Sequence, residues 1–214
     1  RSQTVTGVQT CALPIWEIEE AAQGSPYAEL AWHEYHGYIE EAKAIVTADH
    51  GAGLYLDMHG HGHEILRLEL GYLLSDDALA LPDAELDAGG YAELSSIAAL
   101  AVAVDSPFSA LLRGPSSFGG LLADRGVRAV PSDEEPAPGS DPYFTGGYST
   151  RRHGSRDGGT VSGIQIEHHR EGLRDTQGNR EAYAAALAEV VDAYMALYFQ
   201  LPLTAPDPVV GPVR

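Results

Sequence analysis

The stretch GLYLDMHGHGH, residues 53–63, decides the fold that we expect. Its first four residues are mostly apolar and are typical of a buried β-strand. The strand runs into Asp57 and His59, and a glycine-rich turn with His61 and His63 follows. Open α/β proteins place their sites at the carboxyl ends of strands, and glycines let a metal ion or substrate approach the backbone closely. This stretch therefore predicts a strand that presents functional side chains at the edge of a sheet.

A second stretch, VSGIQIEHH at residues 161–169, has a related pattern. It alternates like a strand and ends in ionisable residues, with Glu167 as the candidate general acid or base. We expect strands 53–58 and 161–167 to be neighbours in one mixed sheet, with Asp57, His59 and Glu167 clustered. Two simpler alternatives stay open: Asp57 braces the turn, and Glu167 lies at a solvated edge, because glutamate is rarely buried without a partner.

The rest of the chain alternates between helical and extended patterns, which is typical of an α/β fold. We predict a three-layer structure, a mixed sheet flanked by helices, in a single domain over residues 16–201. Its further strands are predicted at 66–70 and 127–130, an irregular connection at 76–90, and a long ordered loop at 131–147 of the kind that often covers a site. Helices are predicted at 26–49, 91–104, 106–112, 117–124 and 179–200, the last capped by Asn179.

The two ends of the chain differ from this domain. Residues 5–15 resemble the conceptual translation of a sequencing adapter, so we treat 1–15 as a non-native segment; a short N-terminal strand is the alternative. We accordingly expect the natural N-terminal region to be missing. Residues 202–214 carry four prolines and are predicted to form a tail.

Composition and charge exclude some classes of partner. The formal charge of −18 disfavours nucleic acid, whose phosphates are bound by clusters of Lys and Arg. No apolar run approaches the roughly 18 residues that a membrane helix needs, so we predict no membrane span. Lys43 is the only lysine, and any cation that binds a carboxylate here is therefore expected to be a bidentate arginine.

Taken together, these segments resemble the N-formylglutamate amidohydrolase-like zinc hydrolases, which are distant relatives of the metallocarboxypeptidases. The resemblance covers roughly residues 30–199 and rests on six segments in the same order. They are Trp32–His36, Leu56–Gly60, Arg113–Gly119, Val130–Ser132, Tyr143–Tyr148 and Gly163–Glu167.

The resemblance implies a zinc-carboxypeptidase-like fold and a zinc-dependent amidohydrolase acting on a small N-acyl amino acid or peptide-like substrate. It makes His59 a zinc ligand and Glu167 the general base, and it brings His36 close to the active site. Asp57, His61 and His63 are further candidate ligands or supports of ligands. The carboxylate of such a substrate needs a fixed cation, for which the candidates are Arg113, Arg67 and Arg152, each with a structural ion pair as the alternative. Tyr148 is a candidate substrate contact.

The chain departs from the family pattern at the other zinc ligands. The family's His-x-x-Glu pair does not precede His59, and although residues 61–64 spell it, a strand-end loop is not expected to present both sets to one ion. We therefore expect this chain to bind zinc weakly and to be inactive. The alternative function is a non-catalytic metal- or carbohydrate-binding module, which would give Glu167 no role.

Overall fold

The computed structural model of the protein describes residues 16–203. The predicted non-native segment 1–15, with its alternative of an N-terminal strand, and residues 204–214 of the predicted tail lie outside the described residues. The following account concerns residues 16–203.

A four-stranded mixed sheet forms the centre of the structure. Its strands are β1 (Gly53–Gly60), β2 (Leu68–Gly71), β3 (Ala129–Val130) and β4 (Val161–His168), in the order β1-β4-β2-β3. β1 and β4 are parallel, β4 and β2 are antiparallel, and β2 and β3 are parallel. The prediction that strands 53–58 and 161–167 are neighbours is confirmed, and β1 extends two residues further than predicted.

Ten helices accompany the sheet within the described residues. Two are long: α2 (Pro26–His50) and α10 (Gln177–Phe199). The short ones are α1 (Ile18–Ala22), α3 (Asp76–Leu79), α4 (Asp83–Ala88), α5 (Tyr91–Leu94), α6 (Ala98–Ala103), α7 (Phe108–Arg113), α8 (Phe118–Ala123) and α9 (Tyr148–His153).

The two faces of the sheet differ in chemistry because successive side chains of a strand point to opposite faces. On one face Leu70, Ile164 and Ile166 are fully buried in a core that also contains Val190 and Tyr194 of α10. Burial of each such aliphatic side chain contributes about 1.5–3 kcal/mol to folding. The opposite face carries the polar residues of β1 and β4 and is covered by α9 and by α2. The structure is therefore mixed α/β, with helices on both faces of the sheet.

Two close approaches on the polar face depend on glycine. A Cβ at Gly163 would lie 2.9 Å from the Cα of Gly154, next to α9, and a Cβ at Gly71 would lie 2.5 Å from the backbone nitrogen of Gly146. Side chains at these two positions would push α9 and the 145–147 segment away from the sheet. The two glycines therefore allow α9 and the 145–147 segment to cover the polar face of the sheet.

Several predicted elements are wrong in detail. The irregular connection at 76–90 contains α3 and α4, and the helix predicted at 91–104 is divided into α5 and α6. The division occurs because Ser96 bonds with the sheet: its hydroxyl donates to the Gly163 carbonyl at 2.6 Å, and its carbonyl accepts from the Gly163 N–H. The cap of α10 is Thr176, whose hydroxyl accepts from the Asn179 N–H, so Asn179 is not the cap.

α2 also differs from its predicted packing. The spacing of apolar residues predicts a buried stripe that includes Ala31, Tyr35 and Ala42, but these three are exposed. Only Trp32 and His36 of this helix are buried. The helix therefore contacts the rest of the described structure mainly through one aromatic and one ionisable side chain.

Among the described helices, only α10 is long and apolar enough by length and composition to cross a membrane. Core helices of soluble proteins pass the same test, and Val190, Tyr194 and Met195 of α10 are buried here. The predicted absence of a membrane span stays a prediction.

Candidate metal centre

Three adjacent strands bring ionisable side chains into one row on the polar face of the sheet. His59 of β1 pairs in register with Glu167 of β4, and Glu167 pairs with Glu69 of β2. Paired residues on neighbouring strands, about 4.8 Å apart, point to the same face. Two residues before His59 and Glu167, and on the same face, Asp57 of β1 pairs with Gln165 of β4. The strand order thus places a histidine and two glutamates side by side at the carboxyl ends of β1 and β4.

His59 lies between two carboxylates. Its Nε2 is 3.0 Å from Oδ1 of Asp57, and its Nδ1 is 4.0 Å from Oε1 of Glu167. The hydrogen bond with Asp57 is the main cause that raises the pKa of His59. The predicted clustering of Asp57, His59 and Glu167 is therefore confirmed.

Asp57 is itself held by two hydroxyl groups. The buried Thr150 Oγ1 donates to Oδ2 at 2.9 Å, and the Tyr55 hydroxyl donates to Oδ1 at 3.3 Å. Asp57 is 5% exposed. It therefore supports His59 from within the structure.

Glu167 is a buried carboxyl, 6% exposed, and not the solvated edge residue of the simpler alternative. Its Oε1 accepts from Nε2 of Gln165 at 3.2 Å, whereas its Oε2 is buried and has no hydrogen-bond partner among residues 16–203. Burial raises the pKa of this carboxyl, the Asp57 and Glu69 charges act in the same direction, and the imidazoles of His59 and His63 oppose them. An unpartnered buried carboxylate oxygen costs free energy and indicates a missing ligand, ion or water.

His61, His63 and Glu69 form a compact group that could hold a metal ion. One potential ligand atom from each residue lies within 4.8 Å of the others. His63 Nδ1 is 2.7 Å from Oε1 of Glu69, a carboxylate that is fully buried. The His63 N–H donates to Nδ1 of His61, so the proton of the His61 ring is on Nε2, which donates to the Arg67 carbonyl at 2.9 Å. Metal-binding histidines are commonly oriented by such a carbonyl, and a metal ion on His61 would take the Nδ1 lone pair in place of the His63 N–H.

Glu69 is the residue that the sequence reasoning missed. The alternation of residues 66–70 indicates a strand with one polar face, and the two residues of that face, Arg67 and Glu69, are both fully buried. The two loop histidines are grouped with Glu69 of β2 and not with His59, so the ligand whose absence led to the prediction of weak zinc binding has a candidate on another strand. Glu64, which completes the His-x-x-Glu spelling, is exposed and is not part of the group.

The long loop at 131–147 forms a fixed wall beside this group. The Phe144 N–H donates to Oε2 of Glu69 at 2.9 Å, and the Tyr143 hydroxyl donates to the Leu70 carbonyl at 2.6 Å. The Phe144 ring stacks on the His63 ring, with centroids 4.8 Å apart and planes 9° apart. The prediction that this loop covers the site is supported by these contacts.

His36 belongs to a different cluster. Its Nδ1 lies 2.8 Å from Nε2 of His153, and His153 Nδ1 lies 3.0 Å from Oε1 of Glu40. Trp32 and Tyr148 pack against the His36 ring. Its predicted place in the metal centre is not supported, because it is outside the compact group that could hold an ion.

Two of the three candidate substrate arginines form structural ion pairs, the alternative left open for each. Arg67 is fully buried and pairs with Glu135 and Asp141. Arg113 pairs with Asp83, and its guanidinium also donates to the carbonyl of Leu79, the last residue of α3, and to that of Leu81 just after it.

Arg152 and Tyr148 contact each other away from the metal group. The Arg152 guanidinium lies 4.9 Å above the Trp32 ring and donates to the Tyr148 hydroxyl at 3.3 Å. The Tyr148 hydroxyl is also 3.3 Å from a carboxylate oxygen of Glu17. Neither residue has a contact with His59, Glu167 or the compact group among the described contacts.

Comparison with protein-family models, curated proteins and solved structures finds no match to this chain. The resemblance to amidohydrolases therefore stays a prediction from the sequence motifs.

Proposed function

We propose that this protein is a zinc-dependent amidohydrolase that cleaves the amide bond of a small N-acyl amino acid or peptide-like substrate. The observation that carries this proposal is the Glu167 carboxyl, buried with one unpartnered oxygen, beside a compact group of two histidines and a glutamate.

The donor chemistry fits zinc. Two histidines and one glutamate are the protein ligands of several catalytic zinc sites, in which the fourth position holds water. Zinc in such a site lowers the pKa of bound water to about 7 and polarises the carbonyl of the substrate. His61, His63 and Glu69 are the residues that would hold the ion. We place His59 outside this set, because a fourth protein ligand would leave no position for water.

Glu167 is the general base of the proposed reaction. Its raised pKa brings the carboxyl closer to the working pH, where proton acceptance and donation are both favourable. The water oxygen forms a bond with the carbonyl carbon, the C–N bond breaks, and Glu167 transfers the water proton to the leaving nitrogen. His59, oriented by Asp57 with its Nδ1 towards Glu167, is placed to contact the carbonyl oxygen.

Two further points support an enzyme over the alternative, a non-catalytic metal- or carbohydrate-binding module. The parallel pairing of β1 and β4 gives His59 and Glu167 the same face and edge, so that both side chains can act on one substrate. Burying the Glu167 carboxyl costs free energy, and a module that only binds a ligand would give this carboxyl no role that accounts for the cost. We include the carboxypeptidase-like fold in the proposal.

Glu167→Gln tests the role of the base. The amide has nearly the same shape but cannot accept a proton, so we expect turnover to fall roughly a hundredfold to ten-thousandfold while zinc content stays the same. The measurement is amine or formate release from a panel of N-acyl amino acids and their amides, with zinc measured by mass spectrometry.

The matched control is Glu171→Gln, because Glu171 is an exposed glutamate just after β4. Its turnover should equal that of the parent protein. If the parent binds zinc stoichiometrically but hydrolyses none of the panel, the non-catalytic module is the better account.

A further inference from the structure

The side chains that a substrate can reach at this site include an exposed aromatic ring. His59 and His63 have 26% and 22% of their side chains exposed, whereas Glu69 and Glu167 are buried. Phe144 is 44% exposed and stacks on His63. A molecule bound at the compact group would therefore meet a phenyl face next to the ligand histidine.

The Phe144 ring is held in place rather than loosely exposed. Its backbone N–H is bonded to Glu69, and the hydroxyl of the neighbouring Tyr143 donates to the Leu70 carbonyl of β2. Large exposed apolar side chains with fixed positions are common in ligand sites. Aromatic pairs contribute about 0.5–1.5 kcal/mol beyond the area that they bury, so a flat apolar group of a substrate would gain from covering this ring.

The charges around the site do not suit an anion. The carboxylates of Asp57, Glu69 and Glu167 all lie at this site, so even with the two positive charges of a bound zinc ion the site has no excess of positive charge. The three arginines expected to bind a carboxylate are engaged elsewhere. The chain as a whole carries a formal charge of −18, which slows the approach of anions.

We infer that the preferred substrates are amides with an aromatic side chain beside the scissile bond and without a free carboxylate. Phe144 determines the preference for the aromatic group. This inference rests on the proposed function and narrows its substrate class to uncharged aromatic amides.

Four matched substrates test the two properties separately. They are N-formyl-phenylalaninamide, N-formyl-alaninamide, N-formyl-phenylalanine and N-formyl-glutamate. We expect kcat/KM for the first to exceed that for each of the others about tenfold or more, the range in which a well-packed apolar group discriminates. Higher kcat/KM for N-formyl-glutamate or N-formyl-phenylalanine would overturn the inference and leave the proposed function standing.

Phe144→Ala should remove the difference between phenylalaninamide and alaninamide, mainly through a higher KM, and Phe144→Tyr should restore it. Zinc content is measured for both variants, because Phe144 stacks on His63. The control is Tyr27→Ala, an 86% exposed tyrosine on α2, which should leave all four rates unchanged. A preference that persists in Phe144→Ala at full zinc content would contradict the role of Phe144. Failure of the zinc-loaded parent protein on all four substrates would instead count against the proposed function.

Discussion

Two clusters in this protein contain the same side chains, two histidines and one glutamate, yet they are built differently. In the first, donor atoms of His61, His63 and Glu69 all lie within 4.8 Å of one another. In the second, His153 is bonded through Nε2 to His36 and through Nδ1 to Glu40. Because the two nitrogens of an imidazole point in different directions, His36 and Glu40 cannot converge on a common point. The comparison teaches that donor composition alone does not make a metal centre.

The surroundings of the two clusters also differ. The first stands at the carboxyl ends of the strands, beside the unpartnered oxygen of Glu167. The second lies between α2 and α9, and the His153 side chain is fully buried. We expect the first cluster to determine ligand binding and the second to determine how the two helices pack.

The largest expected difference is in zinc affinity. Glu69→Gln should weaken zinc binding on the order of a thousandfold, because a bound zinc ion gains several kcal/mol from each ligand. Glu40→Gln, the same substitution in the second cluster, should leave the affinity unchanged. Competition with a fluorescent chelator measures both values. Equal losses of zinc affinity in the two variants would show that the two clusters do not differ in zinc binding.

A smaller effect, on the free energy of unfolding, is expected for Arg67, which holds the loop beside the first cluster. Arg67 is buried and pairs with two partly exposed carboxylates of the 131–147 loop, Glu135 and Asp141. Arg67→Met removes these charge-assisted hydrogen bonds and should lower the free energy of unfolding by about 2–3 kcal/mol, as measured by urea denaturation.

Arg128→Met is the matched control for this change, since Arg128 pairs with the same Glu135 but is 55% exposed. Its cost should be below about 1 kcal/mol. Equal costs for the two arginines would contradict the supporting role of Arg67.

The smallest expected effect concerns pH and the second cluster. Burial lowers the pKa of His153 to about 4; Glu40 opposes this shift, and His36, Lys43 and Arg152 reinforce it. The unfolded chain takes up this proton below about pH 6.5, whereas the folded protein does so only near pH 4. The free energy of unfolding should therefore fall by about 2 kcal/mol as the pH drops from 6.5 to 4.

This pH dependence is measured by urea denaturation in the presence of a chelator, so that zinc binding does not contribute. His153→Gln should have a flatter profile over the same interval. A profile of unchanged slope in the variant would assign the acid sensitivity to other groups.

The sequence predicted the parts of the site that depend on strand patterns. The apolar run before Asp57 and the alternation before Glu167 indicated two strands, and the ionisable residues that end both indicated that the strands are neighbours. Neither prediction needed information from distant residues.

What the sequence could not predict depends on contacts between distant parts of the chain. Glu69 is buried because a loop some 75 residues further on covers it, and the pattern of residues 66–70 contains no sign of that loop. Arg113 was a candidate for binding a substrate carboxylate, but the carbonyls of Leu79 and Leu81, more than 30 residues earlier, accept from its guanidinium. His153 lies in no recognised motif, and only the packing of α9 on α2 reveals its partners.

The most direct test of the central claim is to locate zinc by anomalous scattering in crystals of the full chain grown with the metal. We expect one strong peak at about 2.0–2.2 Å from the ligand atoms of His61, His63 and Glu69, next to Glu167. A peak on His36 and His153, or no ordered zinc at the strand ends, would contradict the account.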